Sequence, residues 1–244
     1  GLFIRFVKWL IGITPFGADI QASIVQSILY GAIYGKVKFR GQYFQDLIAY
    51  LYLKEKKDGF YIDIGANDGI SGSNTYALEQ MGWKGVCIEP QPDIFKKLAH
   101  FRKCDCYNAA LSSVSGENLE FLIAKNFDAL SGFGECMTDE HAKIIYESGA
   151  FERINVTTKT FAGIMENYPG IKTIDFMSLD VEGYELPILN SINFSEYSFQ
   201  FITVEENGHG NEINTLLSKN GYKYLMRAGC DMMFVPDTPD RQSP

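Results

Sequence analysis

Five short segments carry the residues that could do chemistry. The first is Asp63-Ile-Gly65-Ala-Asn67-Asp-Gly69, an acid followed by a glycine-bearing turn. Glycines at such a turn let the backbone approach a ligand closely at a strand's carboxyl edge. The dinucleotide pattern G-x-G-x-x-G would need Gly at 67 and 70, where the chain has Asn67 and Ile70. An acid just before the turn would repel a pyrophosphate and suits a cationic ligand such as an amino group. The second is Glu89, 26 positions after Asp63. A carboxylate there can accept from both hydroxyls of a ribose diol; a solvated strand-end glutamate is the plain alternative. The third, Asn108-Ala109-Ala110-Leu111, supplies small residues suited to a flat adenine edge or to ordinary packing.

The fourth segment is Asp180-Val-Glu182-Gly-Tyr-Glu185 and the fifth Glu205-Glu206-Asn207-Gly-His209. Together with Asp63 and Glu89, Asp180 and Glu182 would place four carboxylates on one sheet edge, which is unfavourable unless a ligand, cation or proton offsets it. Asp180 with Glu205, Glu206 or Asn207 offers hard oxygen ligands that could hold Mg²⁺ or Ca²⁺; the same acids could equally accept hydrogen bonds from a substrate. Our reading requires no metal. Cys104-Asp-Cys106 places two thiols on one face of a strand. Without a partner His/Cys cluster this is a pair of buried thiols rather than a zinc site. His100 reads as structural.

The elements that must position these groups alternate. Apolar runs at Phe60–Ile64, Gly85–Glu89, Cys104–Ala109, Thr173–Leu179 and Phe199–Glu205 are separated by helical patterns, near Asn74–Met81 and Asp93–Phe101 in the first part. This is an α/β fold with a parallel sheet. Tyr222–Met226 and Met232–Val235 read as an antiparallel hairpin across Ala228-Gly229. An insertion, residues 112–172, holds strand-like pieces Leu119–Ala124 and Arg153–Thr158 around a helical stretch near Thr138–Ser148. An insertion of that length is expected to border the ligand site, with Asp128–Cys136 as a loop beside the acceptor pocket. Gly41–Asp46 opens a helix ending near Lys54.

Residues 1–40 form a helical extension in this reading. Residues 20–35 carry no charge, but 16 helical residues span roughly 24 Å, short of a hydrocarbon core of about 30 Å. Packing on the main domain, residues 41–244, is favoured over membrane-surface or partner binding. The net charge of −8 argues against a nucleic-acid partner. Aromatics at 14% and charged residues at only 21% argue against disorder. Five cysteines are too few for a disulfide scaffold and fit a reduced, cytoplasmic protein. Oligomeric state cannot be read.

The segments YIDIGANDGISGSNTYALE, GWKGVCIEPQPDIFKKL, NAALSS and MSLDVEGYELPIL, in that order, resemble the FkbM family of S-adenosylmethionine-dependent methyltransferases over about residues 41–236. The upstream GQYFQD looks like the family's lead-in, and DVEGYE is the most specific part. The resemblance implies a Rossmann-like seven-stranded methyltransferase sheet, mostly parallel with an antiparallel last strand and helices on both faces. It implies S-adenosyl-L-methionine as cofactor and methyl transfer to a hydroxyl oxygen, often on a sugar or polyketide. By that likeness Asp63, Gly65, Ala66, Asn67 and Gly69 line the methionine part, with Asn74 and Asp180 in the same donor site. Glu89 takes the ribose, and Asn108, Ala109 and Ala110 flank adenine. Pro187 departs from the longer residues usual there, in a first helical turn that tolerates it. An alcohol acceptor gains from a base during attack; His209, Glu182, Glu205 and Asp180 are the candidates, joined by His141 from the insertion. The acidic edge favours a neutral acceptor, a small molecule or glycan and most simply a sugar, stacked on Phe127 and Phe133; Lys125, Lys143 and Arg153 are the nearby cations that could reverse this. The alternatives are an FkbM-like binding or adaptor domain without turnover, a metal-assisted O-methyltransferase, and a nucleotide-using oxidoreductase or epimerase.

Overall fold

The computed structural model describes residues 38–124, 132–133 and 151–237. The expected N-terminal helices, the helix near 138–148, most of the 128–136 loop, and Phe127, His141, Lys125 and Lys143 lie outside these residues. Among the described residues no helix is long and apolar enough to cross a membrane.

The central sheet has seven strands. They are β1 (Phe60–Ile64), β2 (Lys84–Ile88), β3 (Asp105–Tyr107), β8 (Thr173–Leu179), β9 (Ser198–Glu205), β10 (Tyr222–Ala228) and β11 (Asp231–Pro236). Their spatial order is β10-β11-β9-β8-β1-β2-β3. Parallel pairing runs from β9 to β3, and β11 is antiparallel to both β9 and β10. This is the expected α/β fold: a Rossmann-like, mostly parallel sheet with an antiparallel last strand. The strands read as near-continuous apolar runs because both faces are covered. Ile62, Val86, Met177 and Ile202 pack into one core and Tyr61, Cys87, Phe176 and Phe201 into the other.

Helices α1 (Gln45–Tyr52), α2 (Tyr76–Gln80), α3 (Pro92–Phe101), α4 (Phe161–Met165), α5 (Glu185–Ser191) and α6 (Gly210–Lys219) join the strands. Two starts differ from the sequence reading. Residues 41–44 form a turn rather than a first helical turn, because the Asp46 carboxylate accepts from Arg40 N at 2.7 Å, Gly41 N at 3.2 Å and Leu47 N at 2.8 Å. Helix α2 begins at Tyr76 rather than Asn74, because the side chains of Ser73, Asn74 and Thr75 are engaged with the turn and the sheet.

The third run divides. Asp105–Tyr107 belongs to the main sheet, while β4 (Ala110–Leu111) pairs with β7 (Phe151–Lys159) in a second sheet. That sheet, ordered β4-β7-β5-β6, includes β5 (Asn118–Ala124) and β6 (Gly132–Phe133). Strands β5 and β7 are the two pieces read in the insertion, paired antiparallel from Asn118↔Thr157 to Ala124↔Phe151. Ala110, Phe121 and Val156 form a small core there.

Candidate active site

One cavity opens at the carboxyl edge of β1, β2 and β8, with about 1080 Å³ of non-atom space that includes open solvent. Asp63, Gly65, Ala66, Asn67, Asn74, Glu89, Ala109, Ala110, Asp180 and Glu182 all line it. Gly65 is the pivot. Its φ is +83°, and a Cβ would fall 1.6 Å from the Asp180 carbonyl oxygen. Asp180 N donates to Ile64 O at 3.0 Å, so β8 crosses the mouth of the turn with no room for a side chain.

Glu89 is 7% exposed and held from both sides. Its Oε2 accepts from Asn67 N at 3.0 Å and its Oε1 from Gln91 N at 2.8 Å. Each oxygen keeps a lone pair for a further donor, the arrangement a vicinal diol needs. Burial raises its carboxyl to about 7 despite those two bonds. Asp63, 4% exposed, accepts from Thr75 Oγ1. Burial raises its carboxyl too, opposed chiefly by the Arg102 guanidinium. Asn74 Nδ2 donates to Ser178 Oγ at 3.1 Å, and its buried Oδ1 has no hydrogen-bond partner among the described residues. A buried acceptor without a donor is costly, so Asn74 suits a ligand that brings an N–H, such as an ammonium.

The acidic motif has an internal clamp. Glu185, 1% exposed, turns back to accept from Val181 N at 3.0 Å and from Gly183 N at 3.2 and 3.1 Å. This holds Glu182 in the left-handed region, at φ 55°, a strained backbone for a non-glycine residue. Asn207 Nδ2 bridges Glu185 Oε1 at 3.0 Å and Glu205 Oε2 at 2.6 Å, tying the loop after β9 to the motif. One carboxylate oxygen from each of Asp180, Glu182 and Glu205 lies within 4.8 Å of the others. Desolvation, then the Glu205 and Glu185 charges, raise Glu182 to about 9. Asp180 is pushed well above the carboxylate range by desolvation and by Glu205, Glu182 and Asp231. Solvent reaches Asp180, so crowding of charge is the firmer of its two causes. Three hard oxygens at that spacing could hold a divalent cation, share a proton, or accept from hydroxyls.

Three sequence candidates stand elsewhere. Gly69 does not line the cavity; at φ +77°, a Cβ would meet Leu98 Cδ1 at 2.6 Å and Arg102 Cγ at 2.8 Å, so its bareness serves the packing of α3. Asn108 points its amide away, donating to the carbonyls of Glu89 and Pro90 at 2.9 Å each, so it fixes the end of β2. His209 is half-buried before α6, donating its N–H to Glu206 O. The cavity lining lacks it, while its neighbours Gly208 and Gly210 border a separate opening with Tyr224.

Other lining residues carried no usable signal in the sequence. Gln42 reaches the cavity from the lead-in, Ser71–Ser73 from the loop after the turn, beside the expected Asn74, and Phe121 from β5. The lead-in's GQYFQD did carry a signal: Gln45 Nε2 donates to Asp231 Oδ2 while Asp46 shapes the turn, so the motif is a clasp across β11.

The sequence profile described as the Methyltransferase FkbM domain matches residues 63–224. The chain belongs to the FkbM methyltransferase family. It is therefore a methyltransferase by family, and the motifs of that family are those that converge on the cavity. Among solved structures, the METTL16 MTase domain is similar at TM-score 0.44 and 10% identity, over 98% of this chain and 92% of that one. A methyltransferase from Geobacter sulfurreducens is similar at TM-score 0.38 and 12% identity, over 94% and 95%. The precorrin-6y C5,15-methyltransferase from Geobacter metallireducens GS-15 is similar at TM-score 0.38 and 11% identity, over 78% and 85%. No curated protein matches the chain.

Proposed function

We propose that this methyltransferase uses S-adenosyl-L-methionine to methylate a hydroxyl of a neutral polyol, a sugar in a small molecule or glycan. The observation that carries the reading is the division of one cavity into two chemically different halves. One half has buried, clamped Asp63 and Glu89 beside the Gly65 turn and the small residues Ala109 and Ala110. The other has the crowded acids Asp180 and Glu182 at the mouth.

When bound, the donor supplies an electrophilic methyl group on a sulfonium. Glu89 accepts from the two ribose hydroxyls, its orientation set by the Asn67 and Gln91 N–H groups. Asp63 and the Asn74 Oδ1 favour the ammonium end. Ala109 and Ala110 leave a flat wall for the adenine. On the acceptor side crowding of charge raises both Asp180 and Glu182, so the two are not readily ionised together. The ionised member of the Asp180–Glu182 pair is then a stronger base than an ordinary carboxylate, able to take a hydroxyl proton during attack. His209, outside the cavity, gives way to this pair.

Among the described residues that line the cavity there is no lysine or arginine. Of Lys125, Lys143 and Arg153, Arg153 lies among the described residues, and it pairs with Glu120 at 2.8 Å. A phosphorylated acceptor would meet like charge in a partly dry site, whereas hydroxyls can donate to the acids. Phe121 offers an apolar surface against the acceptor's C–H face. An acceptor array with labelled donor tests this: the expected product carries an O-methyl group on an uncharged sugar by mass spectrometry and NMR. Methyl on nitrogen or carbon, or a strict need for a phosphorylated acceptor, would overturn the acceptor assignment.

A further inference from the structure

On the outer edge of the sheet three sulfurs meet. Cys87 on β2 and Cys106 on β3 are register partners, and Cys104 stands just before β3 on the same side. Cys104 Sγ lies 3.4 Å from Cys87 Sγ and 3.9 Å from Cys106 Sγ. Cys87 is fully buried, whereas Cys104 and Cys106 are partly exposed at the end of the sheet. All three are free thiols. Methyl transfer uses none of them.

We propose that Cys104 and Cys106 form a peroxide-oxidisable dithiol, with Cys106 as the attacking sulfur and Cys104 as the resolving one. One placement and the directions of two thiol shifts support these roles. Cys106 sits on an edge strand that a small oxidant can reach. The Cys104 thiol hydrogen bond, and behind it Cys87 and the Arg102 guanidinium, hold Cys106 below the ordinary thiol range. Cys104 stays above that range, so it reacts as the second partner. Thiolate is the nucleophile in the first sulfur step. Cys106 thiolate attacks one peroxide oxygen; an S–O bond forms, the O–O bond breaks, and the departing oxygen takes up the proton that the Cys106 thiol released and leaves as water. Cys104 sulfur then attacks the sulfenic sulfur, an S–S bond forms, the S–O bond breaks, and the hydroxyl leaves as water with the thiol proton. Two thiols lose two electrons and one hydrogen peroxide becomes two waters.

Closure would bring the sulfurs from 3.9 Å to about 2.05 Å. The segment it pulls is anchored in the cavity wall. Cys104 N and Arg102 Nε both donate to Glu79 Oε2, at 3.2 and 3.1 Å. Arg102, fully buried, also donates to Gly69 O and Ser73 Oγ at 3.3 Å each, and to Thr75 Oγ1 at 2.9 Å. Thr75 Oγ1 in turn donates to Asp63. Oxidation is thereby linked to the loop and the acid of the donor half, a consequence that rests on the donor reading; the disulfide itself does not.

The test treats the full chain with hydrogen peroxide, blocks remaining thiols and maps the peptides. The expected product is a Cys104–Cys106 disulfide, reversed by dithiothreitol and absent in Cys104→Ser and Cys106→Ser. Cys230→Ser serves as a control that leaves it unchanged. Both thiols recovered reduced, Cys106 recovered as sulfinic acid beside free Cys104, or a bridge to Cys87, Cys136 or Cys230 would overturn the assignment. A titration with S-adenosylhomocysteine reads the linkage: the oxidised protein should bind at least about threefold more weakly, recovering on reduction. A mapped disulfide with unchanged affinity overturns the linkage. If the reduced protein does not bind S-adenosylhomocysteine, the donor reading fails while the peptide map still decides the disulfide.

Discussion

The two halves of the cavity handle carboxylates in opposite ways. At the tips of β1 and β2, Glu89 and Asp63 are buried and each is held by donors: backbone N–H groups for Glu89, the Thr75 hydroxyl for Asp63. At the tip of β8, Asp180 and Glu182 face one another and Glu205. The Val181 and Gly183 N–H groups beside them donate to Glu185. The first half is pre-organised for a ligand of fixed shape. In the second, like charges crowd, so a proton or a hydroxyl-rich ligand has something to neutralise. This contrast suits an invariant donor on one side and an acceptor that must lose a proton on the other.

The largest expected effect comes from breaking both halves at their shared point. Gly65→Ala must displace either the turn or the Asp180 carbonyl, and should cost about 3 kcal/mol of stability or more. Denaturant titration checks this, and a variant as stable as the parent would show that β8 can move aside. Next is the acceptor half alone. Asp180→Asn or Glu182→Gln should lower turnover by about 10²–10⁴-fold, because the pair supplies the proposed base, while Glu182→Gln leaves S-adenosylhomocysteine affinity within about threefold. A Glu182→Gln variant that loses donor affinity but keeps turnover would reverse the division. In the donor half, Glu89→Ala should weaken S-adenosylhomocysteine binding at least about tenfold, or ~1.4 kcal/mol. Unchanged affinity in a folded variant sinks the ribose assignment.

Donor affinity and stability respond to pH in opposite directions. The donor's hydroxyls bind ionised Glu89, held up to about 7. Affinity for S-adenosylhomocysteine should therefore rise by roughly tenfold between pH 6 and 8. Stability of the free protein should run the other way. Asp46 at about 7, Glu89 at about 7, Asp231 at about 6 and Glu182 at about 9 bind protons more tightly folded than unfolded. The unfolded chain binds fewer protons across that window, so stability is greatest near the ordinary carboxylate values and is lost as pH rises through about 6 to 9. Thermal unfolding at pH 6 and 8.5 checks the sign; a higher midpoint at pH 8.5 would contradict the crowding. The smallest expected effect is that of chelation. Turnover should survive EDTA, and loss with recovery on Mg²⁺ would turn Asp180, Glu182 and Glu205 into metal ligands.

The parallel strands other than β3 were legible because each is an apolar run ended by Gly, Pro or an acid; Phe60–Ile64 and Thr173–Leu179 match β1 and β8 residue for residue. Their acids could be placed on one edge for the same reason. The roles of Gly69, Asn108 and His209 were not legible, since a residue on a strand tip or turn faces the cavity or the packing according to contacts distant in sequence. For Gly69 that contact is Leu98 and Arg102; for Asn108 it is the carbonyl of Glu89. The Glu185 clamp was hidden in plain view, as a third acid in a motif whose first two drew the attention. Phe121 could not be placed at all, because only the pairing of β5 with β7 brings it to the cavity.

Calorimetric titration of the unmodified chain with S-adenosylhomocysteine, run beside NAD, tests the central claim most directly. The account predicts one saturable site for S-adenosylhomocysteine, no heat from NAD, and binding that strengthens from pH 6 to pH 8. Saturable binding of NAD with none of S-adenosylhomocysteine would contradict it.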